Sequence, residues 1–212
     1  MALFLGFLLG IIASSVSVLI YEYASRPRLR TVMDDGGKAG GTHPDGGEYE
    51  FYHLKVCNLP AKRPLPGRKP AWSSSAHIEV FDLFGQRVIP DNIPVRWTSQ
   101  PEPLERAIKD GQPVNLLDPA KLIMGRKVDV HQHEDQQIAV AVKFEGEDEF
   151  HIFTNESYLF PRWQNPAWRL GRGAYRVRVT VYYERGRSDD DFELINFGSR
   201  RHNLRLRRWP DP

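Results

Sequence analysis

Asp129-Val130-His131-Gln132-His133 is the stretch of this chain whose residue types and spacing come nearest to a reactive site. On a β-strand alternate residues share a face, so Asp129, His131 and His133 would stand together while Val128 and Val130 point inward. Two imidazoles and a carboxylate can bind zinc or another divalent ion, and an open coordination position would permit metal-dependent hydrolysis. The same residues also read as a solvated strand face running into the polar pair Glu134-Asp135. No further His is fixed by spacing to complete a ligand set.

Other catalytic templates are missing. The chain has no GxSxG elbow, no P-loop, no HExxH and no CxxC. Cys57, the single cysteine, excludes an intrachain disulfide and reads as a small core or boundary residue at a strand end. Glu147-Asp148-Glu149 and Asp189-Asp190-Asp191 fall at turn-like positions and read as solvated charge. Neither a reaction nor a cofactor is therefore expected.

A second constellation is basic. Arg200, Arg201, Arg205, Arg207 and Arg208 crowd a segment that ends in Trp209. In one reading Arg205, Arg207, Arg208 and Trp209 lie against anionic lipid headgroups, joined by Arg26, Arg28 and Arg30 if the two ends meet. In the other they form a final strand, with Leu204 and Leu206 buried and Arg205 and Arg207 solvated. Nucleic acid is not an expected partner, because the net charge is only +2 and one aromatic accompanies these arginines.

The elements that would position these groups begin with an uncharged apolar run over residues 2–21, the first charge being Glu22. At about 1.5 Å per residue such a helix matches the hydrocarbon thickness of a bilayer, so residues 1–25 read as a transmembrane anchor with its flank. A cleavable export signal is the alternative, with Ala13 and Ser15 as the small residues of a cleavage site. It is disfavoured because no Lys or Arg precedes the run. The positive flank is Arg26, Arg28 and Arg30, which places the following domain in the cytoplasm; the export reading would put it outside the cell or in the periplasm. Ala2, Gly6, Gly10 and Ser14 recur every fourth residue, a spacing that permits self-association through Gly6 and Gly10. It also fits the general frequency of Gly in membrane helices.

Residues 26–212 read as one domain with an apolar core, since 41% of the chain is hydrophobic and it carries five Trp, eight Tyr and eleven Phe. Strands are expected over residues 49–58, 76–84, 150–153, 175–184, 192–197 and 204–206. Residues 138–142, apolar on both faces, should form a covered central strand hairpinned to 150–153. Residues 103–109 alone suggest a short helix. Long loops are expected at 36–47, 59–75 and 98–122, and these carry the expectation of binding. Asn155-Glu156-Ser157 fits a glycosylation triplet but reads as ordinary loop.

Leu170-Gly171-Arg172-Gly173-Ala174-Tyr175, leading into Val177, Val179 and Val181, resembles the Leu-x-x-Gly-x-Tyr approach to a late strand of immunoglobulin-like sandwiches. That resemblance implies a corner tyrosine at Tyr175, its hydroxyl bonded to nearby backbone. Leu54-Lys55-Val56-Cys57-Asn58 likewise resembles an early sandwich strand ending in an Asn turn. The whole chain is similar to prokaryotic membrane-anchored proteins with an immunoglobulin-like β-sandwich domain. It departs from antibody domains in lacking a cysteine pair, and the likeness implies a fold without an activity. The expectation is a mainly β protein: an N-terminal transmembrane helix, then an antiparallel immunoglobulin-like sandwich presenting loops to an unidentified protein partner.

Overall fold

The computed structural model describes residues 2–61, 67–109, 112–124, 126–184 and 186–210. The apolar run forms helix α1, Ala2–Ala24. It is long and apolar enough to cross a membrane, and its span Gly6–Ala24 has no part buried inside the protein. A helix apolar on every side and packed against nothing has its stable solvent in lipid rather than water. A side chain added at Gly6 or Gly10 would meet nothing within 4 Å, so that face is open. The helix enters the domain without a linker. Ser25 is fully buried, its N–H donating to the Tyr21 carbonyl at 2.9 Å, and its own carbonyl accepts from the Lys69 N–H at 2.7 Å. The Lys69 ammonium pairs with Glu22 at 2.5 Å.

Beyond the helix the chain is mainly β. The strands are β1 Leu29–Thr42, β2 Glu48–Asn58, β3 Ala71–Phe81, β4 Ile93–Pro94, β5 Arg96–Trp97, β6 Leu104–Lys109 and β7 Gln112–Leu117. After the short helix α2, Pro119–Met124, come β8 Val128–Val130, β9 Gln136–Phe144, β10 Phe150–Ile152, β11 Arg169–Leu170, β12 Gly173–Tyr183, β13 Gly186–Asn196 and β14 Leu204–Arg208. Among the described residues two six-stranded antiparallel sheets form a sandwich. The first runs β1-β2-β9-β10-β11, with β5 lying end to end with β10 along β9; the second runs β14-β13-β12-β3-β4, with β8 beside β4 along β3. The chain crosses from the second sheet to the first at Val95, between β4 and β5.

Alternation built this core. Leu54 and Val56 of β2, Ile78 and Val80 of β3, and Val177, Val179 and Val181 of β12 are all fully buried between the sheets. Ile138 to Val142 of β9 are buried on both faces, as the unbroken apolar run predicts, and Lys143 is buried beyond them with its ammonium donating to the Glu147 carbonyl at 2.9 Å. The second cover is a layer of rings outside the first sheet. Phe153, just past β10, and Trp163, on the second of three short 3-10 turns between Asn155 and Trp168, pack over Phe51 with centroids 4.6 and 5.3 Å away. Arg162 and Trp163 both hold positive φ, costly for residues with side chains. They are held there by pairing of Arg162 with Glu147 at 2.7 Å and by its guanidinium lying 4.0 Å over Phe144.

Several local expectations fail: the loop expected at 98–122 holds β6, β7 and α2, and Asp189 to Asp191, expected at a turn, lie within β13 because they pair with β12. Residues 103–109 are not a helix: Leu104 to Lys109 form β6, paired with β7 from Leu104↔Leu117 to Lys109↔Gln112. Cross-strand pairing overrides the helix preference of Leu, Glu, Arg, Ala and Lys. Residues 36–47 are not simply a loop, because β1 runs on to Thr42, with a register shift between Met33 and Lys38. Glycine suits it there: a Cβ on Gly41 would lie 2.7 Å from the Tyr49 hydroxyl. The loop at 59–75 ends early, at Ala71, and β3 stops at Phe81 rather than 84.

Tyr175 donates to the Gly171 carbonyl at 3.5 Å, the contact implied for a corner tyrosine but at the long limit of a hydrogen bond. Tyr52 makes the stronger one, donating to the Arg201 carbonyl at 2.7 Å from a side chain 1% exposed. Tyr52→Phe should therefore cost about 0.5–1.5 kcal/mol, the net worth of one hydrogen bond, since the Arg201 carbonyl keeps the Leu204 N–H as a donor. Tyr175→Phe should cost a few tenths. Urea midpoints of the two variants check this ordering, and equal shifts would contradict it.

Candidate functional site

The expected shared face of Asp129, His131 and His133 does not form, because β8 ends at Val130. Asp129 accepts a hydrogen bond at 2.7 Å from the N–H of Ser73, a positive-φ residue where β3 and β8 shift register. His131 sets its edge against the Trp72 ring, 5.6 Å between centroids. His133 adopts φ 69° in the following turn. Asp129 and His131 therefore each have a local structural partner. Among the described residues no group of three or more His, Cys, Asp or Glu could hold a metal ion. Burial, with Asp135 beside it, pushes the Cys57 thiol up to about 12, so it stays protonated and unreactive near neutrality.

The basic residues divide into two places. Arg26 and Arg28 stand at the helix exit, and Arg30 opens β1. Arg205, Arg207 and Arg208 lie on β14, an edge strand. It starts opposite Asn196, at the end of β13 away from the Gly186 turn, and runs back to place Arg208 opposite Phe192. Most of these charges are paired: Arg207 with Glu193 at 2.5 Å, Arg208 with Asp190 at 3.8 Å. Arg205 lies over Phe197 at 5.4 Å, and Trp209 beneath Arg176 at 5.6 Å. Arg30 and Arg208 do converge, both acting on Asp190, whose carboxylate accepts from the Thr31 N–H at 2.8 Å. Burial raises the Asp190 pKa, and the Thr31 bond and these arginines oppose the rise. A row of arginines on an edge strand also keeps that edge from pairing with another chain.

A groove on the outer face of the first sheet brings together residues that no motif singled out. Its floor is Ala139 of β9, and Phe51, Phe153 and Tyr158 form an aromatic wall around a cavity of about 290 Å³. The opposite side is polar, with His53, Gln137 and Glu102. Strand β5 supplies the central cation. With the two-residue period of a strand, Trp97 faces the sandwich core and Arg96 faces the groove. Arg96 is only 4% exposed; it donates to the Asn155 side chain at 2.6 Å and to the Gln100 carbonyl at 2.5 Å, and lies 5.6 Å over the Tyr158 ring. Burial pushes the Tyr158 hydroxyl up to about 12, Arg96 opposing and Glu102 adding to the rise. At neutral pH the phenol is an uncharged hydrogen-bonding group and not a base.

An arm rises beside this groove. Strands β6 and β7 pair only with each other among the described residues. The arm's base is fixed: the Asp118 N–H donates to the Pro103 carbonyl at 2.8 Å, and the Asn155 amide donates to the Leu122 carbonyl at 2.9 Å. Asn155 thus serves both Arg96 and α2 while buried, which leaves its amide unavailable to a glycan. Ile108 stands 82% exposed towards the tip of the arm, Leu116 53% exposed on the opposite face near its base, and Ile123 68% exposed on α2 beyond the base. The sequence signals for these features were Arg96 in a run of Val95 and Trp97, and aromatic density from Phe153 to Trp168; neither has a periodicity that announces a site.

Comparisons with protein-family models, curated proteins and solved structures return no match. The functional reading rests on this geometry alone.

Proposed function

We propose that this chain is a non-catalytic binding module, tethered to the cell membrane by α1, with its domain on the cytoplasmic side. The module recognises a protein partner through the arm and the adjoining groove. Supporting the reading is one combination: a hairpin paired only with itself among the described residues, with Ile108 and Leu116 exposed on its two faces, follows directly on the segment that supplies Gln100 and Glu102 to an aromatic groove whose polar groups are already oriented. Apolar residues left exposed on a projecting hairpin, rimmed by polar surface, mark an interaction site more often than scattered surface apolars do. The groove suits an uncharged aromatic or aliphatic side chain. Its cavity is large enough for one or two such groups, and Arg96 has its hydrogen bonds satisfied internally. Membrane attachment would confine the partner to the same surface and raise its effective concentration there.

A photo-crosslinking residue placed at Ile108 in the full-length membrane protein tests this. A discrete protein adduct should form at Ile108 and not at Glu184, which lies on a different turn of the sandwich. With the crosslinker retained at Ile108, Leu116→Asp with Ile123→Asp should reduce the adduct about tenfold or more, as for truncation of a central contact. Equal adducts at both positions, or a yield indifferent to those charges, would remove the arm as the recognition element.

A further inference from the structure

Where α1 leaves the domain, a second cavity of about 590 Å³ opens between the helix and the segment after β2. Its walls are Leu19 and Ile20 of the helix and Leu59 and Pro60 of the domain; Arg28 and Arg68 close it on the domain side. Neither guanidinium has a carboxylate partner among the described residues. The nearby Glu22 is engaged by Lys69. Arg68 is held by its own backbone: Nη1 donates to the Arg26 carbonyl at 2.9 Å, and its N–H donates to Gln132 Oε1 at 2.9 Å. Its Nε is buried with no hydrogen-bond partner. Burial and the adjacent Arg28 charge both lower the Arg68 pKa, so the two cations stand in mutual repulsion.

We propose that this cavity binds one anionic phospholipid, its phosphate between Arg28 and Arg68 and an acyl chain along Leu19 and Ile20. Three features select that occupant. Two guanidiniums without a carboxylate partner among the described residues suit a phosphate, whose oxygens accept charge-assisted hydrogen bonds. The apolar wall is continuous with the exposed surface of α1, the surface a bilayer would cover. The site also sits at the last turn of the apolar helix, the depth at which headgroups lie. The site differs from the arginine row of β14, most of which is neutralised within the domain.

This inference rests on α1 spanning a bilayer, so the test separates the two. Carbonate extraction of membranes reports on the anchor alone. Native mass spectrometry of the intact chain from detergent micelles, titrated with phosphatidylglycerol or phosphatidylcholine, reports on the site. One phosphatidylglycerol should be retained per chain, about thirtyfold more tightly than phosphatidylcholine, on the scale of two arginine contacts of about 1 kcal/mol each. Arg28→Gln, at an exposed side chain, should cost about fivefold with an unchanged melting temperature in lipid-free micelles. Arg68→Gln should cost at least as much, and Arg68→Lys should recover part of it. Arg205→Gln with Arg207→Gln should change nothing. Equal retention of the two lipids, or an unaffected Arg28→Gln, overturns the site while leaving the anchor intact. Complete displacement by millimolar inorganic phosphate overturns the lipid assignment.

Discussion

A chain beginning at Ser25 should be soluble and β-rich, and within it Trp97→Ala should lower stability by about 3–5 kcal/mol, the range for emptying a buried aromatic site. Both halves follow from where the core lies. The helix contributes nothing to it, whereas Ser25 must stay because its carbonyl receives the Lys69 N–H. Trp97 is fully buried on a two-residue strand that the chain reaches in crossing from one sheet to the other. Few neighbours on so short a strand can move to refill the space. Its indole N–H has no hydrogen-bond partner, so Trp97→Phe removes an unsatisfied donor along with some volume and should cost only about 1–2 kcal/mol. Urea unfolding followed by circular dichroism measures both. A Trp97→Ala loss below about 1 kcal/mol, or a mainly helical spectrum, would show that the sandwich is not organised around this crossing.

A reporter active only in the cytoplasm, fused after Pro212 in the full chain, should be active, and one requiring export should be silent. The three arginines that follow the apolar run motivate this all-or-none outcome. Replacing Arg26, Arg28 and Arg30 by Glu should weaken or invert the pattern, because the orientation bias comes from Lys and Arg beside the span. Activity of the export-requiring reporter in the unaltered chain would place the domain outside and move its partner there with it.

The local pattern was enough for the architecture. Residues 2–21 carry no charge, so a helix apolar on all sides follows from composition alone. Val177, Val179 and Val181 alternate with Arg176, Arg178 and Thr180, and that period of two fixes both the strand and its buried face. Residues 138–142, apolar on both sides, had to be covered twice, and they are. What sequence could not supply was pairing. Leu104 to Lys109 carry good helix formers and became a strand because β7 lies opposite them. The glycines of β1 became a strand because β2 supplies a backbone partner, which requires no side chain. Asp129, His131 and His133 were spaced for one face, yet the strand stops at Val130, and Asp129 and His131 take different neighbours. The groove was least legible of all. Phe51, Arg96, Ala139, Phe153 and Tyr158 come from separate segments and meet only when the sheet closes and the 3-10 turns fold over it. Periodicity records which face of a segment is buried; which segments share a face is decided by the fold, because that depends on contacts between residues far apart in the chain.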